Sequence, residues 1–219
     1  MDGETRFVNW FRDAAPYIQA HRGRTFVIYF SGEAVADTNF SQTIHDFAVL
    51  NSLGIRLVLV HGMRPQIKQR LEAAGLESSY HKGIRVTDSA SLQCVKEAAG
   101  TIRVEIEALL SMGLSNSPLT GIRTRVCTGN FITARPLGVR DGIDFCHTGE
   151  IRRIDCQSIG EKLDHNNIIV VSPIGNSPTG EVFNLSAESL SVRIAVELVA
   201  DKLIFLTEEA MPLGQPDKP

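Results

Sequence analysis

Two glycine turns hold the residues with the clearest chemical potential. The first stands in Phe26-Val27-Ile28-Tyr29-Phe30-Ser31-Gly32-Glu33-Ala34, the second in Leu57-Val58-Leu59-Val60-His61-Gly62-Met63-Arg64-Pro65. In each, an apolar run stops at a glycine and a helical pattern begins. A strand that feeds the amino end of a helix leaves backbone N–H groups free for an anion, and open α/β sheets place their ligands at such corners. Phosphoryl transfer needs more, because its catalysis is almost wholly a matter of placed positive charge. The first corner has no lysine, and the second has Met63 and Arg64 where a phosphate-cradling loop wants glycine. The corners are framed for an anion but lack the charge that phosphoryl transfer needs.

Other polar residues offer weaker patterns. His21, His45, His61, His81, His147 and His165 show no metal-ligand spacing, so no metal is expected. His61 closes the second apolar run and is expected to orient that corner by a hydrogen bond. Cys94, Cys127, Cys146 and Cys156 are widely spaced without a C-x-x-C, and read as core or surface thiols. Asp141, Asp144, Glu150 and Asp155 lie close in sequence to Arg140, Arg152 and Arg153 and read as a solvated or interface salt-bridge network.

These corners need a frame to hold them. The chain has 219 residues, 43% of them hydrophobic, enough to bury the core of one α/β domain or two tightly coupled lobes. Its net charge of −3 gives no global field for nucleic acid or an anionic membrane. No apolar run approaches the ~20 residues of a membrane span, and the N-terminus has no signal-peptide core. A cytoplasmic protein is expected.

Phe7, Trp10, Phe11, Ala14, Ala15 and Ile18 recur at helical spacing, with Pro16 expected to loosen the last turn and Arg22-Gly23-Arg24 to close it. Strands are expected at Thr25–Phe30 and Ile55–Val60, with a helix over Phe40–Leu53 between them that Gly54 stops. A helix opens near Pro65 and runs to Ala74, before Gly75. Ile84-Arg85-Val86 is a short apolar element, and Thr87-Asp88-Ser89 caps the longest helix, Ala90–Leu110. From Thr124 to Arg153 the pattern shifts to short runs, with hairpin strands expected at Arg125–Cys127, Phe131–Thr133 and Ile143–Phe145. Helix Cys156–Leu163, strand Ile168–Ser172, a loop over Pro173–Gly180, helix Ala187–Ala200 and strand Lys202–Thr207 follow. Alternating strands and helices predict a mostly parallel sheet in a three-layer αβα sandwich. The hairpin region is an insert over the ligand crevice.

The stretches FVIYFSGEA, LVLVHGMRPQI, HKGIRVTD, VKEAAGTIRVEIEALLS, GNFITARPLGVRDGIDFCHTGEIRRID, FNLSAESL and DKLIFLTEE resemble the amino-acid kinase family, from the N-terminal helix to Glu209. Within it, Tyr29, Met63-Arg64 and GEIRRID resemble the kinase-like domain of bacterial N-acetylglutamate synthases, relatives of the acetylglutamate kinases. The resemblance implies the carbamate kinase-like sandwich over 24–210, shorter than is usual in the family. It implies an oligomerisation and regulatory helix over 1–23, a linker or loop over 211–219, and a separate acetyltransferase domain absent from this sequence. Synthases make N-acetyl-L-glutamate from acetyl-CoA and L-glutamate, the first committed step of arginine biosynthesis. Acetyl-CoA is then the substrate of the absent domain, and this chain is expected to bind no cofactor and to be inactive by itself.

The resemblance also assigns roles to residues. Acetylglutamate kinases carry a lysine at the position of Tyr29, two glycines at Ser31 and Gly32, a glycine-rich loop at Gly62-Met63-Arg64, and an aspartate at Glu188. Three departures together imply a lost kinase. Arg64 is expected to fill the phosphate space by pairing with Glu33 or Glu188. Arg85 and Asn184 match residues that hold the carboxylates of acetylglutamate; they imply an acidic-metabolite pocket or, more simply, ties between strand-end loops. In arginine-sensitive members, an N-terminal helix interlaces dimers into a hexamer and borders the arginine site, which places Tyr17 nearest the effector; the rest of that site is expected beyond Pro219, so the site is expected to be incomplete in this chain. The implied function is a degenerate regulatory domain that senses L-arginine. The alternatives are an active acetylglutamate kinase and a ligand-free oligomerisation module.

Overall fold

The computed structural model describes residues 3–112 and 124–207. In chain order the elements are α1 (Gly3–His21), β1 (Thr25–Phe30), α2 (Gly32–Ala36), α3 (Phe40–Ser52), β2 (Arg56–His61), α4 (Arg64–Ala73), β3 (Ser79–His81), β4 (Ile84–Val86) and α5 (Ser89–Ser111). There follow β5 (Arg125–Cys127), β6 (Ile132–Pro136), β7 (Val139–Arg140), β8 (Ile143–Asp144), β9 (Gly149–Ile154), α6 (Cys156–Asp164), β10 (Asn167–Val171), β11 (Ile174–Asn176), β12 (Val182–Asn184), α7 (Ala187–Glu197) and β13 (Lys202–Leu206).

The five-stranded sheet has the order β13-β1-β2-β10-β5, and every pair in it is parallel. Its central strands are apolar on both faces because both faces are covered. Phe26, Ile28 and Phe30 of β1, with Leu57 and Leu59 of β2, pack beneath α3, α4 and α5 against Ile44, Phe47, Ile67, Val95 and Ile102. The alternate residues Val27, Tyr29, Val58 and Val60 face α6 and α7 through Ile159, Leu163, Leu190 and Ile194. The period-2 alternation thus divides one sheet between two cores, each buried side chain contributing about 1.5–3 kcal/mol. This is the expected αβα sandwich.

A second sheet, β12-β11-β6-β9, covers the carboxyl end of the first. It corrects two expectations. Arg125–Cys127 is no hairpin strand; it pairs in parallel with β10 as the edge of the main sheet. Three residues carry too little periodicity to separate the two cases. The loop expected over Pro173–Gly180 contains β11, which forms an antiparallel hairpin with β12. Gly175 there is a strand residue, since a Cβ on it would lie 2.5 Å from Ala134 Cβ; it marks a close approach of strands rather than a loop. Strand β9 went unforeseen, and α7 ends at Glu197, three residues short of Ala200.

Helix α1 continues past Pro16 to His21 as one helix. Trp10 and Phe11 of its apolar stripe are exposed, so the stripe is not core. The loop expected over 211–219 lies outside the described residues. Among the described residues, no helix is long and apolar enough to cross a membrane.

The ends of β1 and β2 touch. Gly62 N donates to Phe30 O at 2.7 Å, and Gln66 Nε2 donates to Gly32 O at 2.7 Å. A Cβ on Gly62 would stand 2.7 Å from Gly32 N, and one on Gly32 would stand 2.6 Å from Pro65 Cδ. Glycine at each corner is therefore a packing requirement, whatever ligand the corner takes. Gly62→Ala is expected to lower the unfolding free energy by about 1–3 kcal/mol, as overpacking does. Urea unfolding should show the midpoint falling at constant slope; an unchanged midpoint would show that the corners separate freely.

Candidate functional site

The carboxyl ends of β1, β2 and β10 open into a cavity of about 750 Å³. The corners supply Tyr29, Ser31, Gly32, Met63 and Arg64, the β3–β4 hairpin Tyr80 and Arg85, and the start of α7 Ser186 and Glu188. Leu137, Thr148 and Glu150 wall it from the second sheet's side, so the hairpin insert does cover the crevice. The structure brings Tyr29, Ser31, Gly32, Gly62, Met63, Arg64, Arg85, Asn184 and Glu188 to this one cavity. Tyr17 is not among them; it stands 71% exposed on α1.

Glu188 is the hub. Ser186 caps α7, its Oγ accepting from Ser189 N at 3.1 Å, and this sets Glu188 in the first turn, where the helix dipole favours a carboxylate. One Glu188 oxygen accepts from Tyr29 Oη at 3.2 Å and lies 3.2 Å from Arg64 Nη2. The other accepts from Ser186 Oγ at 2.9 Å. Of the two partners expected for Arg64, Glu188 is the one it meets. Burial raises the Tyr29 phenol well above its ordinary value, and the Glu188 charge raises it further, so Tyr29 is a neutral donor. Burial pushes Glu188 up, yet hydrogen bonds from its own backbone N–H and Ser186, the Arg64 charge and the Tyr29 hydroxyl together hold it below the usual carboxylate range. Met63, only 3% exposed, turns its side chain into the core with Ile67. It removes glycine from the loop without filling the cavity.

Arg85 is 8% exposed and has no carboxylate partner among the described residues. Its Nη1 donates to Ser78 Oγ at 2.8 Å, its Nη2 is buried without a partner, and its guanidinium lies 4.6 Å from the Tyr80 ring centroid. Burial pulls this guanidinium below its ordinary value; Tyr80 opposes that and the like charge of Arg64 adds to it. Arginine nonetheless stays charged, and a buried charge without a counter-ion calls for an anion.

Asn184 belongs partly to the scaffold. Its Nδ2 donates to Thr87 Oγ1 at 3.1 Å, the Thr87 and Thr148 hydroxyls meet at 2.9 Å, and Thr148 Oγ1 donates to Arg85 O at 2.6 Å. The chain fastens β12, the approach to β9 and β4 to one another. Thr87 and Thr148 were not foreseen, because nothing marks a buried threonine in a sequence. Ser186, which caps α7 and donates to Glu188, is not among the residues the sequence singles out. The acidic residues of the insert pair partly as expected: Glu150 meets Arg140, and also Arg135, while Asp141 pairs with Lys82. Among the described residues no group of three or more His, Cys, Asp or Glu converges as a metal site would require.

His61 is fully buried at the second corner, with Nδ1 3.1 Å from Gly62 O and Nε2 2.8 Å from Ser172 Oγ. A carbonyl only accepts, so Nδ1 carries the proton and Nε2 accepts from the serine. Burial pushes His61 down from 6.5 to about 4. Its pKa is thus lower folded than unfolded, and its contribution is fully present above about pH 6.5 and lost as pH falls through about 4. The loss amounts to at most ~3 kcal/mol. Thermal unfolding between pH 7 and pH 4.5 should therefore slope more steeply for the wild type than for His61→Asn. Parallel curves would show that His61 is not held neutral.

Comparison with known proteins agrees with this geometry. The model of the Amino acid kinase family matches residues 24–210. An amino-acid acetyltransferase of Pseudomonas fluorescens (strain SBW25) is 54% identical over 198 residues, which are 90% of this chain and 46% of that protein. One from Pseudomonas aeruginosa (strain UCBPP-PA14) is 53% identical over 203 residues. The crystal structure of N-acetylglutamate synthase from Neisseria gonorrhoeae, complexed with coenzyme A and L-arginine, superposes with a TM-score of 0.87 at 38% identity, covering 97% of this chain and 50% of that one. The chain spans about half the length of the curated relatives it matches. An isopentenyl phosphate kinase, at 14% identity and a TM-score of 0.52, shares the fold alone. With the corner architecture, the αβα sandwich and these matches in agreement, the chain belongs to the amino acid kinase family.

Proposed function

We propose that this chain is the regulatory, catalytically degenerate kinase-like part of an N-acetylglutamate synthase. In that reading the whole protein transfers acetyl from acetyl-CoA to L-glutamate through a separate domain, and L-arginine acts as its effector through this one. The observation that carries the reading is the Tyr29–Glu188–Arg64 set. A neutral phenol stands where phosphoryl transfer needs a cation, and the nearest corner cation is paired with Glu188. Arg85 and Asn184 give the cavity a remaining capacity for an acidic metabolite. An effector acts only through unequal affinity for two arrangements of the domain. Helix α1, with Val8 and Phe11 exposed, is suited to self-association, and Tyr17 to the border of the arginine site.

Sedimentation of the chain with and without L-arginine tests this. The wild type is expected to self-associate, Val8→Asp combined with Phe11→Asp to lower its mass, and L-arginine to shift the wild-type distribution. Tyr17→Ala should weaken the arginine response about tenfold, the effect of one lost contact of about 1.4 kcal/mol. A monomer indifferent to arginine would overturn the regulatory reading.

A further inference from the structure

We propose that Arg64 and Arg85 form a two-armed carboxylate site in the cavity, with Glu188 as the resting partner from which Arg64 is released when a carboxylate ligand binds. The inference rests on the acidic-ligand capacity assigned to Arg85 above and adds to it a second, movable arm.

Both guanidiniums line the same cavity, and the charge of Arg64 acts on Arg85. Like charges facing a shared space are relieved by an anion between them. Arg85 is the fixed arm. It is 8% exposed, anchored through Nη1 to Ser78, and leaves Nη2 buried without a partner. Tyr80, itself 50% exposed, lies over it. Arg64 is the movable arm. Its side chain is 67% exposed and its ion pair is the single 3.2 Å contact to Glu188. A pair that exposed is weak, so an anion competes for Arg64 at little cost. Glu188 does not depend on the pair, because Tyr29 and Ser186 still donate to its two oxygens after Arg64 leaves. The resting contact thus keeps an exposed cation beside the cavity without locking it.

A carboxylate suits this arrangement better than a polyphosphate. Arginine's planar fork binds one carboxylate through two parallel hydrogen bonds. At the corner end the cavity adds Glu33 and Glu188, which disfavour further negative charge.

Calorimetric titration of the full chain with N-acetyl-L-glutamate, glutarate and inorganic phosphate tests the site. Both carboxylates should bind the wild type more tightly than phosphate. Arg64→Gln should weaken them about tenfold, as loss of one charge-assisted hydrogen bond does, and Glu188→Gln, which frees Arg64 in advance, should tighten them. Arg85→Gln should abolish binding, and Arg85→Lys, which keeps the charge and the fold, should restore part of it. If Arg64→Gln binds like the wild type while Arg85→Gln does not, the acidic pocket stands and the two-armed site falls. If neither carboxylate binds the wild type, or phosphate binds best, the two-armed site falls together with the acidic pocket.

Discussion

Everything at this cavity depends on how closely two strand ends approach. Gly62 N bonds to Phe30 O, and a methyl group on Gly62 would strike the backbone of Gly32. That contact fixes β1 and β2 at their carboxyl ends, and it aims α2 and α4 from one floor. Buried His61 braces the floor from beneath by spanning Gly62 and Ser172, which ties the third central strand to the same point. The glycines that in a kinase would admit phosphate here serve first to let the chain meet itself.

On that floor the electrostatics decide what chemistry is possible. A cation about 4 Å from a moving phosphoryl charge is worth about 4 kcal/mol at an effective dielectric near 20, or about a thousandfold in rate. The phenol of Tyr29 supplies none of this and spends its proton on Glu188. Arg64 is the nearest corner cation, but its charge faces a carboxylate at rest. The cavity has a volume of about 750 Å³ and holds buried Arg85, which has no counter-ion among the described residues. A site in this condition is suited to binding and poorly suited to transfer.

The long elements were legible because their signals are redundant. β1 and β2 are six-residue strands built round apolar runs that stop just before a glycine turn, and Gly54 and Gly75, at φ of 91° and 68°, follow α3 and α4 as their stops. Asp88 caps α5 through Ser91 N, as its place before an apolar helical run implied. The short strands were illegible for the converse reason: β5, β11 and β12 hold three residues each, too few to show alternation, and the glycine in β11 reads as a turn. For the cavity, residue types at the corners singled out Met63 and Arg64, while Tyr29, Glu188, Arg85 and Asn184 came through family likeness. The threonine chain behind Asn184 and the stacking of Tyr80 on Arg85 depend on contacts across 61 residues or more in one case and across a hairpin in the other. No local pattern records such contacts.

On the proposed reading, this kinase frame no longer transfers phosphate. The most direct test is to incubate the purified chain with Mg-ATP and N-acetyl-L-glutamate and follow ADP release over time. The account predicts release no faster than from Mg-ATP without protein. Steady release that depends on N-acetyl-L-glutamate would contradict it, and would make the Tyr29–Glu188–Arg64 set an active site.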